Sequence, residues 1–321
     1  MPTLTLGRRT ARLPIIQGGM AVRISLAPLA TAVAQAGGVG IIAGSGLDAA
    51  ELAAQVRTAR AATDGILGVN IMVAVRAFKE LVLAAIGEGA DLVIAGAGFS
   101  REVFKWCHDA GVEMVPVVGS VKAARLAERL GATAVVVEGF EAGGHLGTDR
   151  PMRELLPEII AAVEIPVIGA GGVVTGCDIK EVLDMGAAGV QMGTRFASTV
   201  ESSAPDAFKQ MYLDATPEDV VITKSPVGLP GRALVNPLTR RVAAGDPPPI
   251  QRCVACLKHC GKDYCIVNAL KLAQGGDVIN GLVFAGSAVS RIHDIPTVKE
   301  LMDRLVREWR SAMEGGCTCA G

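Results

Sequence analysis

The chain has 321 residues, half of them hydrophobic but only 3% aromatic, and a formal net charge of −1. That length accommodates one large α/β domain or a barrel with an insertion, and the core must be built from Ala, Val, Ile and Leu. A near-neutral charge without a long Lys/Arg run excludes nucleic acid and an anionic membrane surface as partners and leaves small-molecule chemistry.

Residues 1–10 lack an apolar signal core, and no apolar run of spanning length escapes helix and turn punctuation. A cytoplasmic protein is expected. Short apolar runs then alternate with helix-period segments: strand 13–20 and helix 25–37, strand 39–43 and helix 49–62, strand 66–72 and helix 78–88, strand 92–95 and helix 101–110. The rhythm continues with strand 114–118 and helix 121–130, strand 135–137 and helix 152–163, strand 167–169 and helix 177–185, strand 190–193 and helix 204–214. Eight such units predict a (β/α)8 TIM barrel, whose site lies at the C-terminal strand ends. An open doubly wound sheet would want a Gly-x-Gly-x-x-Gly turn after its first strand, which Gln17-Gly18-Gly19-Met20 does not supply.

Past residue 214 the rhythm stops. A strand at 220–222 and a Pro-, Gly- and Arg-rich stretch at 226–249 precede helix-period segments at 266–273 and 298–309. The expected organisation is a barrel over 1–200, a small insertion or lid over 201–290, and over 291–321 a helix returning to the barrel, with a frayed tail from 312.

Three stretches carry chemistry. After the sixth strand, Gly143 and Gly144 let the backbone pass close to a ligand and leave His145 on a loop, as a catalytic acid–base group or as a locally bonded histidine. Gly169-Ala170-Gly171-Gly172 follows the seventh strand and Gln191-Met192-Gly193-Thr194 ends the eighth, where barrels of this type bind phosphate on backbone N–H groups. No nucleoside-triphosphate loop is present.

Together, Ile16-Gln17-Gly18-Gly19-Met20, Gly68-Val69-Asn70, the run from Glu138 to His145, the run from Pro166 to Gly172, and Gln191-Met192-Gly193-Thr194-Arg195 stand in one order over residues 10–200. They resemble the flavin-dependent nitronate monooxygenase (2-nitropropane dioxygenase) family, which includes enoyl-acyl-carrier-protein reductase II enzymes. The resemblance implies an FMN-binding barrel in which His145 faces the flavin and handles substrate protons. Gly19 and Met20 would lie by the isoalloxazine ring, Asn70 and Glu138 would bond ring or ribityl atoms, and Gly143 and Gly144 would pass close to the ring. Gly171, Gly172, Gly193 and Thr194 would hold the phosphate, with Gln191 near the ribityl chain. A flat apolar ring with a phosphate tail needs such small residues and N–H donors.

The cysteines are the feature this resemblance leaves open. Cys253, Cys256, Cys260 and Cys265 fall within thirteen residues, and Cys317 and Cys319 stand at the tail. The first spacing is zinc-like, while the later gaps match neither zinc knuckles nor a ferredoxin run, so a metal or Fe–S site and packed or reactive thiols are both kept. Cys107 and Cys177 read as core fillers within helices. Arg232 and Asn236 are candidate lid contacts to an anion or substrate, with Lys224 and Ser225 as weaker ones.

The expected activity is that of an FMN-dependent nitronate monooxygenase. The alternatives are an NAD(P)H-dependent reductase of enoyl thioesters or quinones on the same scaffold, and a flavin redox sensor without turnover. The partners expected are the small-molecule substrate (nitronate, enoyl thioester or quinone) and, for assembly, a second copy of the chain as a homodimer.

Overall fold

Neighbouring residues on the predicted strands divide between two apolar surroundings. Ile41, Ile94, Val115, Val136 and Ile168 form one buried cluster, while Ile42, Val93, Val135, Val167 and Val190 belong to another shared with the helices. Side chains alternate across a strand with period two, so a sheet made of such strands is apolar on both faces. Helices can cover one face; closing the sheet on itself buries the other.

The structure, a computed structural model, describes residues 1–316 and shows that closure. A hairpin of β1 (Leu4–Leu6) and β2 (Arg9–Ala11) leads into β3 (Ile15–Gln17), α1 (Ala27–Gln35), β4 (Gly40–Ala43), α2 (Ala49–Ala62), β5 (Leu67–Met72) and α3 (Phe78–Gly87). Then come β6 (Leu92–Gly96), α4 (Glu102–Ala110), β7 (Glu113–Val118), α5 (Val121–Arg129), β8 (Val135–Glu138), β9 (Gly144–His145) and α6 (Met152–Ile160). β10 (Val167–Ala170), α7 (Gly176–Asp184), β11 (Gly189–Met192), α8 (Thr194–Ala197) and α9 (Asp206–Asp214) complete the repeating part. The rest comprises β12 (Val220–Thr223), β13 (Gly231–Leu234), α10 (Pro237–Ala243), α11 (Ile266–Gln274) and α12 (Val298–Met313).

Eight parallel strands pair in the order β3-β11-β10-β8-β7-β6-β5-β4. The ring closes where Val39 N donates to Ile15 O at 2.9 Å and Gln17 N donates to Val39 O at 3.0 Å. The fully buried Gln17 side chain adds a rung there, its Oε1 accepting from Ile41 N at 3.0 Å. Leu4 and Leu6 of the hairpin pack into the barrel interior and plug its N-terminal end. At the other end β12, β13 and β9 form a small antiparallel sheet, in which Gly231 is paired with His145 and Arg232 with Gly144. α12 returns so closely onto α7 that a Cβ on Gly176 would lie 2.2 Å from Leu305 O.

The TIM barrel expected from periodicity is the fold observed. β1, β2, β9, β13, α8 and α10, each seven residues or shorter, are additions that no period announces. The helix expected at 204–214 starts at Asp206, and the tail expected from 312 is still helical at Met313. Cys317 and Cys319 lie outside the described residues. No helix among the described residues is long and apolar enough to cross a membrane.

Because Leu6 is fully buried inside the barrel, Leu6→Ala should lower unfolding stability by about 2–4 kcal/mol. Urea unfolding checks this; a loss within error of zero would show that the hairpin does not plug the barrel.

Candidate active site

The inward face of the strands ends, at the barrel's C-terminal rim, in one layer. Two residues beyond the interior positions Gly68, Ile94, Val115, Val136, Ile168 and Gly189 stand Asn70, Gly96, Val117, Glu138, Ala170 and Gln191, and all six line a cavity of about 230 Å³. Period two therefore makes its floor. Three of the six are polar. Glu138 is open to the cavity but deep in the protein, and burial pushes its carboxyl up to about 7. Gln191 Oε1 is buried with no hydrogen-bond partner among the described residues. Asn70 presses against Gly19, where an added Cβ would sit 2.2 Å from the Asn70 Cβ. Only glycine fits there, and Gly19 and Met20 form the wall above Asn70.

The β8–α6 loop supplies the opposite wall. Gly144 has φ +84°, a conformation that favours glycine, and an added Cβ on Gly143 would meet Ala285 and Gly286 backbone at 2.7 Å. His145 follows, its backbone clamped by β13. Its Nε2 lies 2.8 Å from Ser225 Oγ, and the Phe284 ring meets it edge-on with centroids 5.2 Å apart. The buried Tyr212 hydroxyl donates to Phe284 O, which fixes that ring's segment. Burial pulls the His145 imidazole down to about 4, so it is neutral at physiological pH. Nδ1 makes no hydrogen bond among the described residues.

At the far end Gly171 and Gly172 have φ +111° and +71°, and Gly193 has only Met20 near its missing Cβ, at 3.9 Å. Thr194 Oγ1 accepts from Gly286 N at 2.9 Å, and Ser287 N donates to Glu141 O at 2.9 Å. Backbone without side chains thus faces the cavity from two strand ends and is closed over by residues 284–289. Such a cradle accepts a phosphate, and the orphaned Gln191 Oε1 accepts a hydroxyl proton on the way to it. The residues present fit a flavin mononucleotide. Among the described residues no Lys or Arg lines the cavity; nearest the phosphate cradle, Arg153 Nη1 would lie 3.5 Å from a Cβ on Gly172, while its Nε pairs with Glu181 at 2.7 Å.

A family model described as nitronate monooxygenase matches residues 5–86 and 73–308. The chain belongs to the nitronate monooxygenase family. It is 31% identical to a (3aS,4S,5R,7aS)-5-hydroxy-7a-methyl-1-oxo-octahydro-1H-indene-4-carboxyl-CoA dehydrogenase of Mycobacterium tuberculosis, over 91% of this chain and 92% of that protein. It is 28% identical to a nitronate monooxygenase of Pseudomonas aeruginosa, over 92% and 96% of the two chains. The solved structure of FabK from Thermotoga maritima superposes with a TM-score of 0.84 at 30% identity, covering 95% of each chain. Members of the nitronate monooxygenase family are oxidoreductases, and the barrel fold here is shared with the solved FabK structure.

Every residue expected to hold FMN lines this one cavity, together with His145. Arg232 and Asn236 do not. Arg232 lies over the Phe140 ring at 4.5 Å and donates to Phe140 O at 2.6 Å, stapling the His145 loop to β13. Asn236 caps α10 and donates to Val278 O and Gly281 O at 2.7 Å. Sequence reading undervalued Ser225 and missed Glu141, Tyr212, Phe284 and Gly286; only the small run Ala285-Gly286-Ser287 could have signalled a close approach.

The four cysteines for which a metal or Fe–S site or packed or reactive thiols are expected, Cys253, Cys256, Cys260 and Cys265, stand near one another: burial and then the charges of Cys265, Cys260 and Cys253 push the Cys256 thiol up. Among the described residues no three His, Cys, Asp or Glu groups converge on a metal position. Cys256 O accepts from Arg76 N, Lys258 N donates to Ala74 O, and Cys265 caps the start of α11, while Cys253 and Cys260 are exposed. Cys107 is a core filler as expected, burial holding its thiol up at about 12, whereas Cys177 is only partly buried.

His145 and Glu138 oppose one another in pH dependence. For His145 the folded value, about 4, lies below the unfolded 6.5, so the unfolded chain holds the extra proton between them and stability rises with pH. For Glu138 the folded value, about 7, lies above 4.5, so stability falls with pH over that window. Each slope is on the order of 1 kcal/mol per pH unit. In flavin-free protein, Glu138→Gln should expose the rising limb between pH 4.5 and 6.5 and His145→Ala the falling one. Urea unfolding across that range reads both, and parallel curves for the two variants would refute the assignment.

Proposed function

We propose that the protein is an FMN-dependent oxidoreductase acting on a neutral, carbonyl-activated substrate, an enoyl or related thioester, with NAD(P)H as the paired redox partner. The observation that carries this reading is a neutral His145 in a cavity that no Lys or Arg lines among the described residues. An imidazole held near 4 is a poor base for a carbon acid. An anionic nitronate would face Glu138 and Glu141 with no Lys or Arg beside it. A carbonyl oxygen needs only a donor that strengthens as charge builds on it. With Ser225 Oγ–H donating to Nε2, His145 takes the Nδ1–H tautomer and becomes that donor. Ser225 and the Phe284 edge hold the ring in place, and β13 holds its backbone.

When bound, FMN supplies hydride transfer. Gly171, Gly172, Gly193 and Thr194 would hold its phosphate, and Gln191 a ribityl hydroxyl. Asn70 and Glu138 would meet polar ring atoms, while Gly19, Met20, Gly143 and Gly144 would bound the ring. Glu138, near half-protonated at neutral pH, can donate as well as accept there. Two of the similar proteins support the thioester reading: one carries carboxyl-CoA in its name and the other is FabK.

A second reading, oxygenation of alkyl nitronates, is favoured by the family description and by the Pseudomonas aeruginosa relative. Anaerobic stopped-flow absorbance of the flavin, after mixing with NADH, NADPH or ethylnitronate, separates the two. Bleaching by a pyridine nucleotide, followed by recolouring with an enoyl thioester, is expected; bleaching by ethylnitronate alone would overturn the thioester reading. His145→Ala should keep its FMN and lose about 10²-fold or more in thioester turnover. Unchanged turnover would remove His145 from the chemistry.

A further inference from the structure

Between Ala243, where α10 ends, and Ile266, where α11 begins, the chain forms no helix and no named strand. A compact domain rarely holds so long a stretch without a function or a constraint of its own. This one carries Cys253, Cys256, Cys260 and Cys265, all with free thiols. It is folded back on itself: Leu257, Tyr264 and Ile266 share one buried cluster, and Cys256 packs against it. Cys265, Cys260 and Cys253 all stand close enough to Cys256 for their charges to act on it. Between Asp246 and Asp263 the sequence has no Asp or Glu, so no carboxylate inside that stretch repels four thiolates. Ala255, just before Cys256, has φ +49°, and Lys262, between Cys260 and Cys265, has φ +59°. Residues other than glycine hold such backbone where their surroundings enforce it, and turns that gather thiols around a shared ligand are a constraint of that kind.

The four thiols are gathered, yet no three of them converge on a single metal position among the described residues. One tetrahedral zinc ion would demand that convergence, because all four sulfurs must touch it at about 2.3 Å. A four-iron cluster does not, since each cysteine binds a different iron at a different corner. We propose that Cys253, Cys256, Cys260 and Cys265 are the four thiolate ligands of a four-iron, four-sulfide cluster. The x2, x3 and x4 gaps match no ferredoxin run, but such a cluster requires four thiolates within reach rather than one fixed interval. None of the four cysteines lines the flavin cavity, so this is a separate site. It is nevertheless tied to that cavity. Gly261 N donates to Pro226 O at 2.8 Å and Tyr264 Oη donates to Lys224 O at 3.1 Å, on either side of Ser225, the partner of His145. On the other side Cys256 O accepts from Arg76 N at 2.9 Å. The cluster staples residues 244–265 and, through them, the backbone that carries Ser225.

The test uses the full chain isolated without oxygen, and the same chain after anaerobic reconstitution with ferrous iron and sulfide. Iron, acid-labile sulfide, zinc and FMN are measured per chain. Wild type should hold about four irons and about four sulfides. Cys256→Ser/Cys265→Ser should lose both and keep its FMN. Because replacing these half-buried residues can also disturb the fold, Cys253→Ser/Cys260→Ser is the companion, its two positions being exposed. It should lose iron and sulfide as well, and its urea midpoint should fall below that of the iron-loaded wild type; without a cluster, such exposed exchanges leave the midpoint where it was. Wild type that takes up no iron and sulfide by either route would overturn the proposal. So would variants that retain the wild-type amounts, or a wild type that holds about one zinc per chain in place of iron.

Discussion

Closure of a sheet that is apolar on both faces is the constraint from which the rest follows. Each strand offers branched aliphatic side chains in both directions, so covering it with helices on one side alone would leave the other wet. The seam between β3 and β4 is therefore held by main-chain bonds at Val39 and by a buried glutamine side chain, Gln17. Once the ring is closed its strands end together. The last inward position of each strand then has no layer above it, and that vacancy is the cavity. Asn70, Glu138 and Gln191 are polar because they stand in this terminal layer; the same residues one layer lower would be buried without partners.

Periodicity made the barrel legible. Alternating apolar runs and helix-period segments are long enough to identify all eight units, and glycine pairs mark where the backbone must approach something. Its limits are equally physical. β9 is two residues with a glycine of φ +84°, and nothing local makes it a strand; only its partner β13 does. Arg232 and Asn236 show the complementary error. A charged or amide residue in a loop advertises hydrogen-bonding capacity, but whether it is spent on Phe140 O and Gly281 O or on a ligand is a tertiary fact.

The segment after α9 does more than cover the barrel. It supplies Ser225, Phe284 and the β13 backbone, three of the groups that hold His145, and α9 supplies Tyr212 behind Phe284. His145 is thus carried by the barrel and aligned by the later elements. A histidine on a loop of two glycines would otherwise wander over several rotamers, at an entropic cost to every productive encounter.

Charge placement is the final step of the same logic. Burial keeps the imidazole neutral and the floor carboxyl near half-protonation, so neither group carries a full charge into the cavity at neutral pH. Cations placed inside would hold Glu138 ionised and attract anions to the wrong end of the site.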